Sequence, residues 1–410
     1  MGGGARSRAR AKKRAEESRK AYEARERKKP DEAEPLLYLC TFEIYRGGLA
    51  GYRVQVIRLS DLFIPFDTPI TIFGPKSQAP KSNSTEVLRQ FAFLDGEHVP
   101  GHMGFGVLGS RIVLAGGWFL NMRMGHKPKP TYVLETDQSV EPNPRFISTR
   151  GTPNPKTPYM IPELEPEKPR PWMREIDGKL YALSGDHIGY AAFEVFDPKT
   201  DHVWAPLPKL QIRKLPIETK GLSLSSCAVV GTKILITLPL KSRVGVVKML
   251  CFDVAHPERS WTTVEEPPWW QFHSVFPDFY NEVLVLDLED DDCEKLLFTY
   301  DFEYCQIRVS SMKLSNEGEP KCIQPLDEID LPDEFKNLDD FLATSYSCAH
   351  LGGRRVCFSF VHLLTLLVFT FEFSYSISGI FSVKALGHRL FEYYSNEELR
   401  SIFLGGCFVL

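Results

Sequence analysis

GKLYALSGDHIGYAAFEVFDPKTDHVWAPLP, from Gly178 to Pro208, is the stretch on which the fold turns. A Gly-bearing turn opens it, a short apolar strand follows, and after a loop a second apolar strand ends at Phe196-Asp197, eight residues or fewer before Trp204. The closing part of that order, a strand ending at Phe-Asp, a turn and a Trp, returns in MLCFDVAHPERSW, from Met249 to Trp261. An aromatic before a turn and a Trp after it are placed to pack on each other across adjacent strands.

Working outward, the opening turn and strand recur as GSRIVLAGG (109–117), GKLYALSGD (178–186), GTKILITLP (231–239), NEVLVLDLE (281–289) and GGRRVCFSF (352–360), with starts 69, 53, 50 and 71 residues apart. Self-similarity at about fifty residues, with each unit too small to bury its own apolar faces, is the pattern of propeller blades. The two long intervals coincide with polar insertions at 141–171 and 315–340. Each quoted stretch is expected to be the second strand of its blade, and KLLFTYDFEYCQIRV (Lys295–Val309) to be a third strand. At the front, LLYLCTFEIYRGGLAGYRVQVIRL sets two β-rich runs around a Gly-rich turn and predicts a hairpin starting at Leu36. The expectation is therefore an all-β propeller of about six four-stranded blades. It would close by pairing LLYLCTFEIY with FSVKALGHRLFEYY, near the C-terminal end.

Charge divides the chain in two. Residues 1–29 hold twelve Lys and Arg against four Glu, while the whole chain carries a net −4. This segment has almost no large apolar residue, so it reads as a basic tail, disordered or helical, joined by the acidic, proline-marked PDEAEP. The expected division is a tail and linker over 1–35 and a propeller over 36–410. Lys12, Lys13 and Arg14 are the densest part of the tail and suit a nuclear-import signal or a nucleic-acid contact.

Nine cysteines without a CxxC pair argue against a zinc site or a disulfide framework. The start, MGGGARSRARAKKR, lacks the apolar core of a secretory leader, and Arg6 stands where myristoylation wants Ser or Thr. The run Val356–Phe373 contains His362 and Glu372 and is rich in Phe, Val and Thr, so it reads as two buried strands rather than a membrane span. Together these features predict an intracellular protein, nuclear or cytoplasmic, that is monomeric and makes no membrane contact.

In Gly116-Gly117, Gly185, Phe196, Asp197, Trp204, Phe252, Asp253 and Trp261, the sequence resembles the kelch-repeat propellers, and among them the large plant group of unknown function. The resemblance covers roughly 105–270 well and the flanks weakly. It departs from the pattern at Thr237, Asp287 and Ser359, where Gly is expected. Many plant kelch proteins carry an F-box ahead of the propeller; the short charged segment here lacks that module's Leu-Pro start, which disfavours a ligase adaptor.

Catalytic signatures are missing. The chain has no P-loop, no GxGxxG opening a helix, no HExxH and no GxSxG. The resemblance admits copper-radical oxidases and iron-dependent specifier proteins, but the ten His are dispersed and no Glu begins the specifier cluster. The acidic run Glu289–Glu294 lacks the spaced ligands and Gly of a calcium loop and reads as a solvated hairpin turn. No enzyme activity, metal or cofactor is expected. The loops between second and third strands instead offer Trp118, Arg123, His126, Asp186, His187, Lys241 and Arg243, a mixed-charge rim suited to a protein or peptide partner. Asp186 beside His187 has no nucleophile or third group to make it a catalytic pair.

Overall fold

The computed structural model describes residues 34–47, 49–63, 70–72, 88–96, 99–118, 130–137, 144–148, 161–164, 168, 170–184, 193–200, 203–208, 226–238, 248–264, 281–288, 291–302, 304–315, 318–332, 335, 345–376, 379–393 and 399–410. Their strands form six sheets, the blades of a propeller. Blade 1 uses β1 (Leu36–Tyr45) and β2 (Ala50–Arg58), the predicted hairpin. The chain then makes one helical turn at Leu59–Leu62, runs through β3 (Ile70–Ile72), and returns as β4 (Arg89–Gly96).

Blade 2 holds β5 (Gly104–Leu108), β6 (Arg111–Ala115), β7 (Tyr132–Glu135) and β8 (Ile147–Ser148). Blade 3 holds β9 (Trp172–Ile176), β10 (Lys179–Leu183), β11 (Phe193–Phe196) and β12 (Ala205–Pro206). In blade 4 the strands are β13 (Ser226–Val230), β14 (Lys233–Leu238), β15 (Lys248–Asp253) and β16 (Thr262–Val264), with β17 (Asn281–Glu282) added in parallel beside β13. Blade 5 is β18 (Leu284–Leu288), β19 (Asp291–Asp301), β20 (Gln306–Leu314) and β21 (Pro320–Asp330). Blade 6 is β22 (Ser345–His350), β23 (Arg355–His362), β24 (Thr365–Tyr375) and β25 (Phe381–Tyr393), and β3 joins its outer edge in parallel. The last strand, β26 (Leu399–Val409), returns to blade 1, which therefore reads β26-β1-β2-β4.

Closure thus differs from the sequence expectation. The first strand does pair with the C-terminal end, but with 399–409 and not with FSVKALGHRLFEYY, which is the outer strand of blade 6. A second difference lies in blade 5. NEVLVLDLE contains its first strand, β18, and Lys295–Val309 spans the second strand and the start of the third. The cause is a change of turn chemistry. Turns from first to second strand in blades 2, 3, 4 and 6 contain left-handed glycines, Gly109, Gly178, Gly231, Gly352 and Gly353, whereas in blade 5 that connection falls on Glu289-Asp290. A register keyed to Gly slips by one strand there. The acidic run consequently belongs to the opposite end of the blade from the second-to-third connections.

The core is divided among the blade interfaces. Alternate residues of a strand point to opposite sheet faces, and here both faces are covered. Leu180 and Ala182 of β10 pack toward blade 2, while Tyr181 and Leu183 pack toward blade 4. In the same way Val356, Phe358 and Phe360 of β23 meet blade 5, and Cys357 and Val361 meet blade 1. Two-sided burial explains why the Val356–Phe373 run reads as continuously apolar: it is the paired strands β23 and β24. No helix among the described residues is long and apolar enough to cross a membrane.

The aromatic pairs read from the sequence are present. Phe196 and Trp204 have ring centroids 5.7 Å apart, and Phe252 and Trp261 5.1 Å. Each indole also fastens its blade to an incoming loop: Trp204 Nε1 donates to the Pro162 carbonyl (2.9 Å) and Trp261 Nε1 to that of Pro208 (3.0 Å). The neighbouring aspartates tie the turns. Asp197 accepts from the Lys199 amide (2.9 Å) and pairs with Lys179 (3.0 Å); Asp253 accepts from the Ala255 amide (3.0 Å) and pairs with Lys233 (2.9 Å).

Candidate functional site at the mouth of the axial channel

The first strand of each sheet faces the ring axis, and β5, β9, β13, β18, β22 and β26 together line a channel. Its waist is an ion pair. Arg174 of β9 meets the carboxylate of Glu282 in β17, their side chains 26% and 19% exposed. Ser347 Oγ donates to Glu282 Oε2 (2.7 Å), and the Tyr346 hydroxyl donates to the Glu282 carbonyl (2.8 Å). Glu282 is thereby fixed by backbone and side chain, and it in turn positions the guanidinium.

Below the waist lies a cavity of ≈ 350 Å³ whose wall includes Cys227, Cys348 and Cys407. Burial pushes all three thiols up, Cys348 to about 12, against the pull of Arg174 on Cys227 and Cys348. They stay protonated near neutrality and act as small apolar groups. Burial likewise lowers the Arg174 pKa, and no carboxylate other than that of Glu282 is paired with it among the described residues.

On the other side of the waist a smaller cavity of ≈ 60 Å³ opens toward the ends where second strands finish. Arg170 lines it, and next to Arg170 stands Trp118, just past β6. It reaches this place because Gly116 and Gly117 both take left-handed backbone conformations, at φ 74° and 82°. A Cβ on Gly117 would lie 2.4 Å from the Gly101 carbonyl oxygen, so only glycine lets Trp118 exchange backbone hydrogen bonds with Gly101 (2.6 and 2.8 Å). The diglycine noticed in the sequence is the device that seats Trp118.

Trp118 is half-buried against His102, at 4.7 Å between ring centroids, and the Arg170 guanidinium lies 5.7 Å over its ring. Arg170 Nε donates to His102 Nδ1 (3.2 Å), an arrangement that assigns the ring proton to Nε2. Burial, reinforced by the Arg170 charge, depresses the His102 pKa to about 3, so the imidazole is neutral at physiological pH. The loop that carries His102 is held by Tyr52, whose hydroxyl donates to Pro100 O (2.7 Å) and accepts from the Met103 amide (2.9 Å).

Of the rim residues expected from sequence, the structure places Trp118. Arg123, His126, Asp186, His187, Lys241 and Arg243 lie outside the described residues, as do Lys12, Lys13 and Arg14 of the tail. The strand ends flanking the 119–129, 185–192 and 239–247 connections, in blades 2, 3 and 4, are the same ends at which Trp118 sits. His102, Arg170, Arg174 and Glu282 were not anticipated. Arg174 and Glu175 interrupt the short strand WMREI, and that break in an otherwise apolar strand was the available signal. Among the described residues no group of three His, Cys, Asp or Glu side chains is placed to hold a metal ion.

No family model matches the chain, and no curated protein matches its sequence. Solved structures with a similar course include a mutant of AofleA from Arthrobotrys oligospora, at 10% identity and TM-score 0.39, covering 83% of this chain and 98% of that one. Hsv2 of Kluyveromyces lactis is similar at 8% identity and TM-score 0.31, covering 85% of each chain. The blade count rests on the strand topology described above, not on these likenesses.

Proposed function

We propose that this chain is a non-catalytic binding propeller of the kelch type, which takes a protein or peptide partner on the end of the ring that carries Trp118. The observation that carries the reading is the stack of His102, Trp118 and Arg170 at the mouth of the channel. A large amphipathic ring, half-buried and pinned by a diglycine and a cation, is the kind of rigid anchor that dominates protein interfaces. The sequence puts Arg123, His126, Asp186, His187, Lys241 and Arg243, residues of mixed charge, in the second-to-third connections of blades 2, 3 and 4, whose flanking strand ends lie at the same end of their blades as Trp118.

The test is partner capture with three proteins: the full chain, the chain lacking residues 1–34, and a variant with Trp118→Ala, Arg123→Ala and Arg243→Ala whose melting matches the parent. Loss of a specific partner in the loop variant alone supports the reading. Loss that follows the basic tail instead, with steep salt dependence, would make the chain a nucleic-acid or acidic-surface binder.

A further inference from the structure

We infer that the cavity of ≈ 350 Å³ below the waist is a binding site for a small, uncharged aromatic molecule. It lies at the end of the channel away from Trp118, so it goes beyond the partner-binding reading and does not rest on it. Five aliphatic side chains that line it are only half-buried: Val107, Val229, Val285, Val409 and Leu410. They come from blades 2, 4, 5 and 1 and meet around one recess. Half-exposed aliphatic groups scattered singly over a surface need no explanation. Gathered in a concavity, they are the material of small-molecule pockets.

The lining does not call for a charged ligand. Arg174 and Glu282, which close the recess at the waist, are paired with each other, and the Arg174 guanidinium also lies 5.9 Å over the Phe408 ring. Cys227, Cys348 and Cys407 are held protonated, and so uncharged, by burial. At the lip, Glu175 accepts from the Gly109 amide (2.8 Å), and His350 Nε2 lies 2.8 Å from the Gly353 carbonyl oxygen. Both lip side chains are exposed, and solvent and salt screen whatever charge they carry. A charge carried inward past them would give up its hydration to aliphatic and thiol groups that cannot replace it.

Depth and chemistry favour a ring over a chain. From the waist to the open end the wall runs from Arg174 to Ile176 in β9 and from Cys407 to Leu410 along β26. At the rise of an extended strand these two stretches make a recess about 7–10 Å deep, which an acyl chain of any length would soon leave. A cavity of roughly 150 Å³ holds one benzene ring, so the larger volume here takes two or three fused rings. The wall also supplies partners for a π-system, the rings of Trp172 and Phe408 and the polarisable sulfurs of the three cysteines. Sulfur–aromatic contacts favour an aromatic ligand over a saturated one of similar size.

The experiment is equilibrium dialysis of the full chain against 2-naphthol, with the protein-free compartment read by naphthol fluorescence. Saturable binding of one molecule per chain is expected. The same ring carrying a charge, as 2-naphthoate or as 2-naphthylmethylammonium, should bind about tenfold more weakly. Val229→Asn, which sets an amide into the wall, should weaken 2-naphthol binding about tenfold, whereas Val229→Leu keeps it. Val409→Thr, a near-isostere with a hydroxyl at the half-buried end of β26, should act in the same direction and serves where Val229→Asn does not melt as the parent does. Leu363→Asn, at an exposed turn of the opposite end, should bind as the parent. Absence of saturable binding overturns the proposal, as does equal binding by the parent and the polar wall variants, or binding of either charged analogue as tight as that of 2-naphthol. N-acetyltryptophanamide binding more tightly than 2-naphthol would assign the recess to a protein side chain and overturn it as well.

Discussion

Leu36 and Leu410 exchange two backbone hydrogen bonds, each 3.2 Å long, so that the two ends of the described ring meet in one sheet. The pairing continues along β1 and β26 from Leu37–Val409 to Tyr45–Leu399, with two register shifts. The innermost strand of blade 1 is therefore borrowed from the far end of the sequence, and this pairing latches the ring. Loop-closure entropy grows only slowly with length, which is why a contact across the whole ring is affordable at all.

Removing residues 399–410 should open the ring. The deletion strips β1 of its partner and uncovers Leu37, Leu39, Leu366 and Val368 in the blade 6–blade 1 interface. Broadened unfolding and aggregation in sedimentation are expected. A truncated chain that stays monomeric and melts as the parent does would refute the role assigned to β26.

The same interface holds a buried ion pair. Arg53 binds Glu43 through Nε (2.6 Å) and Nη2 (3.1 Å) and Gln90 through Nη1 (2.6 Å), both charged side chains being at most 1% exposed. Arg53→Met should cost about 3–5 kcal/mol, because it strands the Glu43 carboxylate. Adding Glu43→Leu should recover most of that loss. Urea unfolding of the two variants checks both statements, and a double variant as unstable as the single one would contradict them.

Acid should weaken the Trp118 cluster before it touches the carboxylates. His102 titrates near 3 when folded and near 6.5 when unfolded. Its folded pKa is depressed, so below about 6.5 the unfolded chain takes up the proton first and stability falls until pH reaches about 3. At pH 5 the loss from this group is about 2 kcal/mol. His102→Asn, a residue that tolerates the left-handed backbone found there (φ 54°), should flatten that part of the stability–pH curve. Equal slopes for parent and variant between pH 7 and 5 would rule His102 out as the cause.

Two glycines with similar backbone should respond differently to alanine. Gly109, at φ 58°, has nothing within 4 Å of an added Cβ, so Gly109→Ala should cost about 1 kcal/mol from backbone strain alone. Gly117→Ala drives a Cβ into the Gly101 carbonyl oxygen and should cost more than about 3 kcal/mol, with a change in Trp118 fluorescence. Comparable melting shifts for the two would argue against the seating role of the diglycine.

Trp204→Phe keeps the ring next to Phe196 and deletes the indole donor to Pro162 O. A loss of about 1–2 kcal/mol is expected for the hydrogen bond and the orphaned carbonyl. Trp204→Ala should lose about 3–5 kcal/mol. Thermal or urea unfolding separates the two contributions.

What the sequence by itself determined is local and repeated. Left-handed turns need Gly109, Gly178, Gly231 and Gly352 whatever surrounds them, and Phe196 with Trp204 or Phe252 with Trp261 pack across neighbouring strands of one blade. These fixed the blade unit and, by spacing, a ring of about six. Where the turn chemistry changed to Glu289-Asp290, the register was lost, because nothing else in the sequence distinguishes a first strand from a second. Only the tertiary structure decided which strand closes the ring, that β3 crosses to the edge of blade 6, and that Arg174 meets Glu282 at the waist. Each of these joins residues far apart in the chain but neighbours around the axis. Their pairing depends on the ring's closing geometry and not on the composition of either segment, so no local pattern records it.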